Sequence, residues 1–114
     1  DEDYGDKRIV PGFIDVHTHG YFGYDATAGN EEGLRKWAKD LPLEGVCGFC
    51  PTTLTQSHDT LKGAVARIKD TVKKGDVEGA EVLGIHFEGP YLDVAYKGAQ
   101  PEEYIVKGTI EEFK

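Results

Sequence analysis

Two histidines, His17 and His19, flank Thr18 at the end of a short apolar run, Phe13-Ile14-Asp15-Val16. On an extended backbone, side chains two residues apart leave the same face, so both imidazoles point one way. Such a pair can converge on one cation, or it can satisfy backbone groups at a strand end. The glycine-rich stretch that follows the apolar run favours the cation. The same spacing recurs at His86 and Glu88, where Gly89-Pro90 ends the run. Imidazole nitrogens and a carboxylate suit zinc or ferrous iron, and three such groups leave a coordination position for a reacting water. Glu88 also reads as a solvated strand-end carboxylate, and His86 as a hydrogen-bonded group beside the ligands.

The remaining reactive side chains carry less. Asp15 shares a strand face with His17 and can support it. His58 falls in the first turn of an amphipathic segment between Ser57 and Asp59, where it caps or is solvated. Cys47 and Cys50 have the spacing of a redox or zinc pair, but redox pairs open helices, whereas these lie in a run that reads as a strand leading into a loop at Pro51-Thr52-Thr53. Their separation puts them on opposite strand faces, and no second ligand pair follows. Gly20-Tyr21-Phe22-Gly23-Tyr24 matches no phosphate-cradling spacing and reads as a mobile loop over the site.

These groups need a scaffold. Apolar stretches at 13–17, 46–50 and 82–87 predict three strands, roughly 35 residues apart. Between them, 30–39 shows a helical pattern with Leu34, Trp37 and Ala38 on one side. A second runs over 57–74, with Leu61, Val65, Ile68 and Val72 at helical spacing, Ser57 as its cap and Gly75 as its stop. Strand and helix alternate, which predicts an α/β fold with a parallel sheet. Periodicity alone leaves a doubly wound sheet and a (β/α)8 barrel both open, but in either one ligands sit at the C-terminal strand ends. That rule points to 17–25, 51–56 and 88–100.

Composition fits an ordinary globular domain, with 30% charged and 39% hydrophobic residues. The net charge of −8 disfavours a nucleic-acid partner and leaves a small molecule as the expected ligand. No apolar run is long enough to span a membrane, and Asp1-Glu2-Asp3 is no secretory leader, so a cytoplasmic location is expected. The sequence has no methionine and ends on Thr109-Ile110-Glu111-Glu112-Phe113-Lys114, which reads as a helix just begun. We therefore expect a piece of a longer chain, one part of one domain.

Pro11 to Gly20 resembles the opening strand of the amidohydrolase superfamily. Cys50-Pro51-Thr52-Thr53, the run from Gly84 to Leu92, and Lys97-Gly98-Ala99-Gln100 are more specifically similar to the N-acetylglucosamine-6-phosphate deacetylases, and the likeness extends from about Gly5 to the end. The resemblance implies a (β/α)8 TIM-type barrel beside a small β-sandwich, with residues 1–114 supplying about the first three β/α units of the metal-dependent hydrolase domain. The sandwich segment and the C-terminal half of the barrel would lie outside this sequence.

The resemblance further implies hydrolysis of the sugar's N-acetyl group at a site holding one or two divalent ions, zinc or iron. It makes Glu88 a metal ligand, places His86 beside the ligands, and gives His17 and His19 to a two-metal arrangement. Ala99 and Gln100 would contact a sugar-phosphate substrate, and the full protein would be a homodimer. No catalytic residue is expected within the sequence: the proton-transferring aspartate, two further histidine ligands and the phosphate-binding residues would lie beyond Lys114. A cyclic amidase of the same superfamily shares the histidine pair but typically bridges its metals with a carboxylated lysine, which Glu88 in its Glu-Gly-Pro-Tyr-Leu setting argues against. A non-catalytic module is the remaining alternative.

Overall fold

The computed structural model describes residues 2–113. Strand β1 (Phe13–Thr18) leads into a hairpin of β2 (Gly20–Tyr21) and β3 (Tyr24–Asp25), then helix α1 (Glu31–Asp40), β4 (Val46–Thr53), α2 (His58–Lys74), β5 (Glu81–Val82) and β6 (His86–Phe87). β4 is the central strand: β1 pairs with it in parallel on one side, and β5 and β6 pair with it in parallel on the other. The α/β class with a parallel sheet is thus present. Two strand-helix units and a third strand are described, one helix fewer than expected. After β6 the chain runs through short 3-10 turns at Val94–Tyr96, Glu102–Tyr104 and Ile110–Phe113. The incipient helix expected at 109–114 is the last of these turns, with Lys114 outside the described residues.

Both helices begin and end where their capping residues stand. Asn30 accepts from the Gly33 N–H at 2.8 Å, and Glu31 and Glu32 fill the first turn, where the helix dipole favours negative charge. Ser57 accepts from the Thr60 N–H, and Gly75, at φ 76°, terminates α2. Trp37 is fully buried between Tyr24 and Phe49, with ring centroids 5.5 and 4.9 Å away, and Leu34, Ala38, Leu41, Ile68 and Ala80 complete the core. The buried stripe of α2 is Leu61, Ala64, Ile68 and Thr71, rotated from the one expected, so that Val72 is exposed. Ala64 and Thr71 are small enough for close approach, and the Thr71 hydroxyl donates to the Arg67 carbonyl within the helix, so burying it leaves no polar group unpaired.

Three further departures shape the ends of the strands. Pro51-Thr52-Thr53 continues β4 instead of forming a loop, because Thr52 and Thr53 pair with His86 and Phe87. The third strand is interrupted: Gly48 and Phe49 face Glu81 and Val82, but Thr52 faces His86, so β5–β6 contains one residue more than β4 over the same span. This is a bulge at Leu83-Gly84-Ile85, and it reverses the parity of every later side chain. Gly20 to Tyr24, expected as a mobile loop, folds as the β2–β3 hairpin, with Phe22 and Gly23 both at positive φ (45° and 83°) as a tight primed turn requires. The Tyr24 ring lies against the first turn of α1, where a Cβ on Gly33 would come within 1.9 Å of it.

Candidate metal centre

β1 delivers His17 and His19 to the same side, and the chain after β6 delivers Glu88 opposite them. His17 Nε2 lies 3.2 Å from His19 Nε2 and 3.1 Å from Glu88 Oε2, and His19 Nε2 lies 2.8 Å from that same oxygen. Among the described residues this is the one group of three metal-type ligands found close together.

Each member of the cluster is held from behind. The His19 Nδ1 is 3.0 Å from the Thr52 carbonyl, which can only accept, so Nδ1 carries a proton and, when the ring holds that proton alone, Nε2 faces the cluster bare. The Thr52 hydroxyl accepts the Thr18 N–H at 2.9 Å and donates to the Cys50 carbonyl, locking the end of β1 onto β4. On the far side, the His19 carbonyl accepts the Ala26 N–H, so the hairpin closes behind the histidine. The Asp15 carboxylate accepts the His17 N–H within β1. His86 donates from Nδ1 to the Val16 carbonyl and stacks edge-on against His17, with ring centroids 4.7 Å apart. It therefore touches a member of the cluster without joining it.

Glu88 is fixed more tightly. Its N–H donates to the Thr53 carbonyl, and its own carbonyl accepts the Thr55 hydroxyl. Burial pushes its carboxyl up, but the His17 hydrogen bond, the charge of His19 and a hydrogen bond from the Gln100 side chain hold it below its usual value.

The donor set fits a divalent cation. With His19 Nε2 bare, its 2.8 Å contact with the Glu88 carboxylate brings two acceptors together, which is favourable only if a proton or a cation lies between them. Ligand distances of about 2.0–2.2 Å around a tetrahedral ion place neighbouring donors about 3.3 Å apart, and the three observed separations need only a slight expansion to match.

The other expected residues lie outside the cluster. Ala99 is exposed on a turn, whereas Gln100 is buried, with its side-chain oxygen accepting the Thr55 N–H at 2.8 Å. Cys47 and Cys50 are free thiols. His58 opens α2 beside its Ser57 cap and pairs with Glu112 at 3.6 Å. The supporting roles of Thr52 and Thr55 were not anticipated. The only signal for them was a run of threonines at the C-terminal end of a strand.

A sequence profile described as the amidohydrolase family matches residues 8–113. A relative named N-acetylglucosamine-6-phosphate deacetylase from Bacillus subtilis is 37% identical over 111 residues, covering 96% of this chain and 28% of the relative. One of the same name from Rattus norvegicus is 39% identical over 106 residues, covering 90% of this chain and 25% of the relative. The crystal structure of N-acetylglucosamine-6-phosphate deacetylase from Thermotoga maritima superposes with a TM-score of 0.79 at 30% identity, over 90% of this chain and 27% of that one. The chain therefore spans about a quarter of the length of the relatives it matches.

Proposed function

Because this chain belongs to the amidohydrolase family, we propose that it forms the first part of the metal-holding wall of a deacetylase. That enzyme would convert N-acetylglucosamine 6-phosphate and water to glucosamine 6-phosphate and acetate. The observation that carries the reading is the convergence of His17, His19 and Glu88 at the C-terminal ends of parallel strands, in a chain whose relatives bear that enzyme's name. The reading includes zinc or iron as the ion, one or two per site, and completion of a (β/α)8 barrel by chain outside these residues. It also includes a cytoplasmic setting, consistent with the absence of any helix among the described residues long and apolar enough to cross a membrane, and a homodimer.

Family members are metal-dependent, and a divalent ion supplies Lewis-acid polarisation of the amide carbonyl and activation of water. The residues of this chain hold and orient. His19 offers a bare Nε2 because Thr52 keeps its proton on Nδ1, and Glu88 adds the negative charge that retains the ion. His86 braces the His17 ring. The proton that leaves water and reaches the departing amine needs a further carboxylate, which we assign to chain outside these residues, since no other carboxylate joins the cluster among the described ones.

Glu88→Gln should lower bound zinc at least tenfold in equilibrium dialysis. In a chain extended to the length of the relatives it should also abolish acetate release, which the 114-residue chain alone should not show. Undiminished zinc binding and turnover in that variant would remove Glu88 from the site.

A further inference from the structure

We propose that a bulge in β1, pinned by Asp15 and by His86, aims His17 at the cluster, which makes Asp15 and His86 positioning residues. The inference rests on the metal-site reading above. Along β1 the register pairs Asp15 with Phe49 and Thr18 with Pro51, so Val16 and His17 lie together opposite the single residue Cys50. That is one residue more than β4 has over the same span, and such a surplus reverses the face of every later side chain. An uninterrupted strand would leave His17 on the face of Asp15, as their spacing predicts. The bulge parts them and turns His17, and then His19, to the side that receives Glu88.

A bulge interrupts the ladder, and the backbone groups it releases need other partners. Two side chains supply them. The Asp15 carboxylate accepts the His17 N–H at 3.1 Å, and His86 Nδ1 donates to the Val16 carbonyl at 3.0 Å. β1 and β6 flank β4 on opposite sides, so the His86 bond crosses the central strand and ties its two neighbours together. Beyond the bulge, Thr52 already holds the Thr18 N–H and His19 Nδ1. The side chain whose direction the two pins govern is therefore His17. The edge-on contact of the His86 and His17 rings, taken as a brace by itself, accounts for neither of the two hydrogen bonds.

The test compares the unmodified chain with Asp15→Leu, Asp15→Asn, His86→Phe, His86→Asn and His17→Ala. Zinc is measured by equilibrium dialysis, which does not require a monomer, and the site is read by the visible absorption of bound cobalt(II). Asp15→Leu is close to aspartate in size but cannot accept, and His86→Phe keeps an aromatic ring against His17 but cannot donate to a carbonyl. Each should weaken zinc binding about 10- to 100-fold and move the cobalt spectrum toward that of His17→Ala. Asp15→Asn retains an acceptor oxygen and should keep most of the affinity and the original spectrum. His86→Asn retains a donor near the position of Nδ1, and should bind zinc more tightly than His86→Phe although it has no ring. A role in bulk stability alone would leave the cobalt spectrum of the folded fraction unchanged in every variant but His17→Ala.

Unchanged affinity and spectrum in either folded Asp15→Leu or folded His86→Phe, with binding weakened in His17→Ala, would overturn the proposal and leave the metal site standing. Tighter binding by His86→Phe than by His86→Asn would do the same, since that order is the mark of a ring brace. Absence of zinc binding by the unmodified chain would overturn both readings. If Asp15→Leu fails to fold by far-UV circular dichroism, Asp15→Ala takes its place with the same expectation, and affinity and spectrum equal to the unmodified chain would again overturn the proposal.

Discussion

The centre of the sheet and its first strand are built from similar residues and fare differently. On β4, α1 and α2, Phe49, Trp37, Leu34 and Ile68 are buried to within 2% of complete enclosure. On β1, Phe13, Ile14 and Val16 remain more than 60% exposed. β1 is thus held to the molecule by its ladder with β4 and by the Thr52 hydroxyl, with little packing, and it carries His17 and leads directly into His19. The half of the site contributed by Glu88 lies over a buried network, whereas the half contributed by His17 and His19 hangs on directional bonds. Hydrogen bonds can aim a ligand where the core does not reach it, because their geometry is specific even when their net energy is small.

The largest expected effect sharpens that contrast. Trp37→Ala should destabilise the chain by about 3–5 kcal/mol in denaturant titration, a large part of a typical domain's stability. The triple change Phe13→Thr, Ile14→Thr, Val16→Thr should alter stability by no more than about 0.5 kcal/mol per site while reducing self-association in sedimentation. A β1 triple variant as destabilised as Trp37→Ala would show that the strand is packed in solution, and the comparison would collapse.

Thr52→Val is expected to be intermediate, because it strands the Thr18 N–H and releases the end of β1. A loss of about 1–3 kcal/mol should accompany a modest fall in zinc affinity, since the Thr52 carbonyl still holds His19. Full zinc affinity with lowered stability would mean that the histidine pair does not depend on that strand end.

The smallest effect lies on the helix side. Hydrogen bonds from Lys74 and Arg35 lower the pKa of the partly exposed Glu31, joining α1 to the end of α2, where Arg35 also reaches the Gly75 and Asp76 carbonyls. With the folded pKa below the unfolded one, this contribution is present above the ordinary carboxylate range and disappears as pH falls through the lowered value. Glu31→Gln should therefore flatten the acid limb of a stability-pH profile slightly. An unchanged slope would make the pair a surface contact without consequence, as many are.

Much of the site was legible because a strand imposes a period of two: His17 with His19, and His86 with Glu88, announce a shared face from spacing alone. The helix limits were legible for the same kind of local reason, in the caps Asn30, Ser57 and Gly75. What escaped depended on partners distant in sequence. Gln100 is separated from Thr55 by 45 residues, and nothing around it signals a buried amide. Thr71 is buried because its hydroxyl closes on its own helix, and Phe22 is an uncommon residue at positive φ that the hairpin turn requires.

The bulge at Leu83-Gly84-Ile85 sets a rule for how this sequence can drift. A side chain at Gly84 would meet nothing within 4 Å, so substitution there is sterically free. Length is another matter. A slip of β6 by a single residue along β4, which a change in length between Val82 and His86 could impose, turns Glu88 away from the histidines, whereas a slip of two keeps it in phase. The segment is therefore permissive to spelling and strict about counting, and descendants of this chain should vary there by letter or by pairs.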